Sequence, residues 1–213
     1  MVAPVIDRMA WTGSAPLNLA LFDFDGTITT REMFRPFIDF AVSRRRRTLG
    51  GILLGPMVIG YKLGWVSSNV MRKYAVRFGF GGVAAAQVDE FGHRFAKEIL
   101  PSVLRDVALE RIRWHKEQGD RVVVVSGSLD VYLTHWCRQH DLELLCSELE
   151  IKGGRLTGHY RGEQCVSAEK PRRVCAAYDV GSYPVVYAYG DTKEDIDLLK
   201  IAHRRYYQWQ EVS

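Results

Sequence analysis

The stretch Leu19–Thr29, LALFDFDGTIT, constrains this chain more than any other. Leu19, Ala20, Leu21 and Phe22 read as a strand buried on both faces, as in the middle of a parallel sheet. Gly26 then permits a sharp turn. Asp23 and Asp25 are two positions apart, so an extended chain would point both side chains the same way. Two carboxylates so placed repel each other unless a cation lies nearby. Hard oxygen ligands suit Mg²⁺, which favours one or two carboxylates with substrate phosphate and water.

The 213 residues suffice for one generous domain or for a core with an inserted lobe. A 47% hydrophobic and 25% charged content is that of a water-soluble globular protein. The net charge of +4 fits anionic substrates or surfaces without requiring nucleic acid. Cys137, Cys146, Cys165 and Cys175 show no C-x-x-C spacing and read as reduced thiols of a cytoplasmic protein, not as a disulfide frame or a zinc site. The first eighteen residues lack a basic flank before an apolar core, so they read as a loose arm rather than a signal peptide.

Beyond Thr29 the pattern turns helical. Phe34, Phe37, Ile38 and Ala41 recur at helical spacing, with Pro36 tolerable in the first turn. Arg44–Arg47 then read as a solvated helix end, with attraction to anionic lipid as the alternative. Residues 49–66 are apolar but carry five glycines and a proline. They read as the core packing of a helical lobe or as an interfacial surface, and are too short and too broken to read as a bilayer span. Ser67–Asn69 would cap a helix from Val70, and Val83–Ile99 would form another. The remainder alternates: helix from Val103 to Gln118, strand at Arg121–Val125, helix at Leu129–His140, strand at Leu142–Cys146, and a hairpin around Gly153-Gly154. A helix capped by Ser167, a strand at Val185–Tyr189, a short helix and a last strand at Arg204–Trp209 follow. The fold expected is α/β, a doubly wound parallel sheet of residues 1–30 and 101–213, with an all-helical cap of residues 31–100 inserted after the first strand.

In such sheets ligands sit beyond the carboxyl ends of the strands. Three strands here would end at Asp23/Asp25, at Ser126-Gly127 and at Asp191. Asp195 lies one helical turn past Asp191, and Lys170 is the well-placed cation. This order resembles the haloacid dehalogenase superfamily of phosphohydrolases. The matching signatures are DFDGT at Asp23–Thr27, the strand ending in Ser126, Lys170 in SAEK, and GDTKED at Gly190–Asp195. The helical insertion after the first signature resembles the phosphoserine-phosphatase-like subgroup, subfamily IB.

The resemblance implies a Mg²⁺-dependent phosphomonoester hydrolase. Asp23 would be the nucleophile and would carry an aspartyl-phosphate; an unperturbed Asp has a pKa of about 3.9, so it would be ionised at neutral pH and need no base. Asp25 would protonate the leaving group and then activate water, and its backbone carbonyl would join Asp23 and Asp191 at the metal, with Asp195 holding the ion through water or orienting Lys170. Ser126 and Lys170 would hold phosphoryl oxygens, with Gly127 and Thr27 in the phosphate loop. Glu32 stands where phosphoserine phosphatases bind the substrate's amino group. Their cap arginine falls on Tyr74 in this register, with Arg72 and Arg77 nearby, a departure that speaks against phosphoserine. A closer resemblance is to the bacterial phosphatidylglycerophosphatase C type, through REMF, the glycine-rich lobe and GDTKEDIDLL followed by AHRRYYQW. The expected substrate is a small organic phosphate. The alternative is a lipid phosphate met at an anionic membrane surface. A non-catalytic phospho-acceptor module would not need Asp25, and one arginine run is thin support for nucleic-acid binding.

Overall fold

The computed structural model describes residues 17–213, so the first sixteen residues of the expected N-terminal arm lie outside the described residues, while Asn18 at its end is not loose, donating to Asp120 and accepting the Val185 amide. The central sheet has the order β3-β2-β1-β6-β7-β8. Strand β1 (Leu19–Phe22) pairs in parallel with β2 (Arg121–Leu129) on one side and β6 (Val186–Gly190) on the other. Strand β3 (Glu143–Ser147) and strand β7 (Arg204–Tyr207) extend it in parallel. Alternation along β1 explains why it is central. Ala20 and Phe22 pack into one apolar cluster, while Leu19 and Leu21 pack into a second on the opposite face. Helices cover both faces, as expected of a doubly wound sheet.

Four helices follow β1: α1 (Phe34–Ala41), α2 (Arg44–Lys62), α3 (Ser68–Phe80) and α4 (Ala85–Glu98). Pro36 falls in the first turn of α1, and Ser67 caps α3 by accepting the Val70 amide. Helix α4 lies tightly on α6 (Asp130–His140) because Gly92 has no Cβ; an added one would stand 1.7 Å from the Val131 carbonyl. Phe37 of α1 packs on Phe95 of α4 and on Tyr132 of α6, so the helical segment shares a core with the α/β body.

Several local expectations are corrected. The glycines and proline of residues 49–66 do not interrupt the helix. Helix α2 runs unbroken to Lys62, and its glycines serve as contacts, Gly50 against Phe78 and Gly60 against Val66. Arg44–Arg47 begin α2 rather than ending α1. Arg46 is not simply solvated, because its guanidinium donates to the Gly81 carbonyl at 2.9 Å and to that of Gly79 at 3.3 Å, closing the end of α3. Pro101 sits in a 3₁₀ turn at Leu100–Val103, which delays α5 (Asp106–Glu117). Ser167 does not cap α7 (Glu169–Ala177); it holds a positive φ of 47° two residues before the helix. The expected last strand is a hairpin, in which β8 (Gln210–Val212) runs antiparallel to β7. The hairpin around Gly153-Gly154, β4 (Leu149–Lys152) with β5 (Arg155–Tyr160), forms its own two-stranded sheet against α3.

Asp130, the first residue of α6, accepts the Leu149 amide. Burial pushes its pKa up to about 6, despite those backbone hydrogen bonds. A carboxyl whose folded pKa is raised adds stability below its unfolded pKa, and that stability is lost as pH rises through about 6. Asp130→Asn keeps the acceptor and removes the charge. It is expected to stabilise the chain by about 1–2 kcal/mol at pH 7.5 and to have no effect near pH 3.5, as read by urea unfolding.

Candidate active site

The register of the sheet brings three strand ends together. Phe22 pairs with Val124 and with Tyr189, so Asp23 lies between the ends of β2 and β6. The Asp23 amide donates to the Tyr189 carbonyl, which fixes the start of the loop. Beyond these ends opens a cavity of about 420 Å³. Asp23, Asp25, Glu32, Arg72, Gly127, Lys170, Asp191, Glu194 and Asp195 are among its walls.

Lys170, nearly inaccessible near the start of α7, places its ammonium 2.5 Å from Asp23 Oδ1 and 2.6 Å from Asp195 Oδ1. The other Asp195 oxygen accepts the Thr192 amide, the Thr192 hydroxyl and the Asp191 amide, so the loop after β6 is folded around it. Asp191 accepts the Thr27 hydroxyl at 3.1 Å. One carboxylate oxygen from each of Asp23, Asp191 and Asp195 lies within 4.8 Å of the others.

Electrostatics show what this grouping lacks. Burial pushes Asp23 up to about 8, with Asp195 adding to the rise and Lys170 opposing it. Asp191 is also raised, by burial and then by Asp195. Burial works against the charge of Lys170, but Asp23 and Asp195 outweigh it and hold its pKa above the usual lysine value. Burial would raise Asp195 too, yet Lys170 and Thr192 bring it below the usual carboxylate range. With all three ionised, the carboxylates would outnumber the Lys170 ammonium by two charges. An all-oxygen donor set with that deficit fits a divalent hard cation such as Mg²⁺. With Lys170 as the cation beside it, burial still holds the Asp23 carboxyl above the ordinary range. Further positive charge is what would make Asp23 an anion at neutral pH.

Asp25 does not share the direction of Asp23. Pairing ends at Phe22, and the side-chain alternation of a strand ends with it. The Asp25 carboxylate turns to the Met33 amide, at 2.9 Å, and to the Ser128 hydroxyl, and stands outside the acidic trio. Burial pushes its pKa up to about 6 against the pull of Ser128.

The other expected residues divide. Gly127 lines the cavity, and a Cβ there would stand 2.6 Å from Val166 and 3.1 Å from Arg72 Nη1. Glu32 lines it too. Strand β2 runs on past the expected end to Leu129, and Ser126 is fully buried where its regular pairing with β3 stops; its Oγ accepts the Ser128 amide, which leaves the hydroxyl proton available to donate. Thr27 is buried with its hydroxyl spent on Asp191, so it positions that acid rather than lining the cavity. Lys193 is exposed and borders the cavity.

Three contributors were not singled out from the sequence. Ser128 holds Asp25, and its place two residues beyond Ser126 on one strand was the available signal. Arg105 donates to the Gly26 and Thr29 carbonyls and braces the loop from a distant segment. Arg72 corrects the cap register, since it reaches the cavity wall between Glu32, at 3.7 Å, and Glu194, at 4.0 Å, while Tyr74 is not among the lining residues. Its Nη1 is buried without a hydrogen-bond partner.

The loop depends on glycine at one position above all. Gly26 has a φ of +84°, and an added Cβ would lie 2.1 Å from Asp191 Oδ2. Gly26→Ala is therefore expected to displace Asp191, to cost about 2 kcal/mol in urea unfolding and to weaken metal binding in calorimetric titration at least about tenfold.

A family model of haloacid dehalogenase-like hydrolases matches residues 20–200. The chain belongs to that family. Among curated proteins it is similar to Protein CicA of Caulobacter vibrioides (strain NA1000 / CB15N). The two are 30% identical over 202 residues, which cover 92% of this chain and 87% of the relative. Among solved structures, a protein with unknown function from Bordetella pertussis Tohama I superposes with a TM-score of 0.74 at 19% identity, covering 91% of this chain and 90% of that one. A substrate-bound phosphoserine phosphatase superposes with a TM-score of 0.63 at 22% identity, covering 91% of this chain and 87% of that one. This haloacid dehalogenase-like hydrolase thus shares the phosphoserine phosphatase fold. No helix among the described residues is long and apolar enough to cross a membrane.

Proposed function

We propose that the chain hydrolyses phosphomonoesters through an aspartyl-phosphate on Asp23, with a small organic phosphate as substrate. The observation that carries this reading is the buried contact of Asp23 with Lys170 beside Asp191 and Asp195, at the floor of an open cavity. A carboxylate oxygen held there by an ammonium is a positioned nucleophile with a charge partner for incoming phosphoryl oxygens.

Asp23 attacks phosphorus, and the bond from phosphorus to the ester oxygen breaks. The leaving alkoxide takes a proton from the Asp25 carboxyl, which the Ser128 hydroxyl and the Met33 amide hold in place. The pKa of about 6 at Asp25 suits a group that gives up a proton and takes one back near neutrality. In the second half, the Asp25 carboxylate accepts a proton from water as that water attacks phosphorus. The bond to Asp23 then breaks and inorganic phosphate leaves. Lys170, the Gly127 amide and the Ser126 hydroxyl proton serve the phosphoryl oxygens, on which charge accumulates. Mg²⁺ bound by Asp23, Asp191, Asp195 and the Asp25 carbonyl would neutralise part of that charge.

Arg72 reaches into the cavity with an unpartnered nitrogen, flanked by Glu32 and Glu194. This set suits a small polar leaving group that bears a hydrogen-bond acceptor. The test is turnover of an aryl phosphate. With Mg²⁺ it is expected to proceed, and after exhaustive chelation to fall at least about 100-fold and to recover on adding Mg²⁺ back. Equal turnover in chelator would contradict the proposed metal site. A panel of phosphorylated metabolites, ranked by kcat/KM, would then identify the substrate.

A further inference from the structure

Helix α2 is built inside out. Its glycines Gly50 and Gly60 are buried, while Leu49, Ile52, Leu53, Ile59 and, just past its end, Leu63 are exposed. At 100° per residue these five side chains fall within an arc of about 120°, so they form one stripe along the outer face of the helix. Ile52 is 71% exposed, and Trp65, beyond the stripe's end, is 81% exposed. Arg44 and Arg45 are exposed at the other end, and Arg45 falls on the same arc. The helix contains four arginines and no acidic residue. Arg46 and Arg47 are engaged with the end of α3 and with Asp39, so Arg44 and Arg45 are the pair turned outward.

We infer that this face docks on the surface of an anionic lipid bilayer, with α2 lying in the interface. An apolar stripe headed by guanidiniums and followed by a tryptophan matches both layers of such a surface. Acyl chains take the leucines and isoleucines, headgroup phosphates take Arg44 and Arg45, and the indole of Trp65 sits at the boundary. A second copy of this chain fits less well. Closing two stripes on each other would bury Arg45 with no carboxylate in either stripe to pair it. With 19 residues and no span-length apolar run, α2 lies on the bilayer and does not cross it.

Docking there would also bring the cavity close to the surface. Trp65 is three residues from Ser68, at most about 11 Å of chain. The Ser68 hydroxyl donates to Glu194 on the cavity wall.

Sedimentation with vesicles tests the inference without substrate, so it stands or falls apart from the hydrolase reading. The full chain is expected to pellet with vesicles of phosphatidylcholine mixed with phosphatidylglycerol at low salt, and to stay in solution with phosphatidylcholine alone. Arg44→Glu/Arg45→Glu is expected to weaken anionic binding about 30-fold, for two guanidiniums near a charged surface. Acids at a helix N-terminus favour the helix, so this variant folds. Ile52→Glu/Leu53→Glu is expected to abolish binding, while both variants keep aryl phosphate turnover. Failure of the full chain to pellet with anionic vesicles would overturn the inference, as would binding indifferent to the arginine reversal. A dimer in sedimentation equilibrium that Ile52→Glu/Leu53→Glu dissociates, without vesicle binding, would assign the face to a second copy instead.

Discussion

Asp23→Asn is expected to reduce turnover of an aryl phosphate at least about 10⁴-fold while leaving the fold intact or more stable. The two halves of this expectation have one cause. Asp23 is buried beside two further carboxylates, and burial lifts its pKa to about 8, so its charge is costly to hold. An amide of the same shape accepts the Lys170 hydrogen bond and carries no charge. The melting temperature should therefore hold or rise as activity disappears, the trade of stability for function expected at an active site. A variant that loses both together would mean that Asp23 is chiefly a structural partner of Lys170. A variant that keeps its turnover would remove Asp23 from the chemistry altogether.

Lys170→Met is expected to have the second-largest effect, and in both properties at once. The ammonium bridges Asp23 and Asp195 in a region closed to water. Removing one partner of a buried ionic group leaves uncompensated charge, at a cost of about 3–5 kcal/mol. Protonation of a carboxylate would limit that loss, most effectively at low pH. Turnover should fall by about 10²–10⁴-fold, because the phosphoryl oxygens lose their cationic partner. Combining it with Asp23→Asn separates the two roles. The double variant should regain part of the stability in urea unfolding, since one unpaired acid is gone, and none of the activity. A double variant as unstable as Lys170→Met alone would show that the ammonium acts through Asp195 and not through the pair.

The parts of the site on strand ends were legible in the sequence for a physical reason. A parallel strand buried on both faces has a strong apolar signature, and its carboxyl end must face the crevice. Asp23, Ser126 and Asp191 could therefore be placed without knowing how the strands are ordered. The family resemblance put Lys170 at the phosphate site, and the fold adds that its ammonium bridges Asp23 and Asp195. What stayed hidden depends on how elements pack. Which face α3 turns inward decides that Arg72, not Tyr74, reaches the cavity, and no local pattern in Val70–Val76 encodes it. Helix α2 passes through residues rich in helix breakers because its glycines admit close contacts with Phe78 and Val66, a tertiary effect that overrides propensity. The divergence of Asp23 and Asp25 reflects the end of strand pairing at Phe22, which comes although β2 itself continues to Leu129. Thr27 was expected in the phosphate loop and Ser128 stood beside the expected site in sequence, but their hydroxyls donate to Asp191 and Asp25 and bear on substrate through those acids.

Trapping the covalent species is the most direct measurement. Borohydride added during turnover reduces an acyl phosphate to the alcohol, so an aspartyl-phosphate at position 23 would be recovered as homoserine in that peptide by mass spectrometry. The account predicts homoserine at position 23 only when substrate and Mg²⁺ are both present. Sustained turnover with Asp23 recovered unchanged, or with the label on another acid, would contradict it.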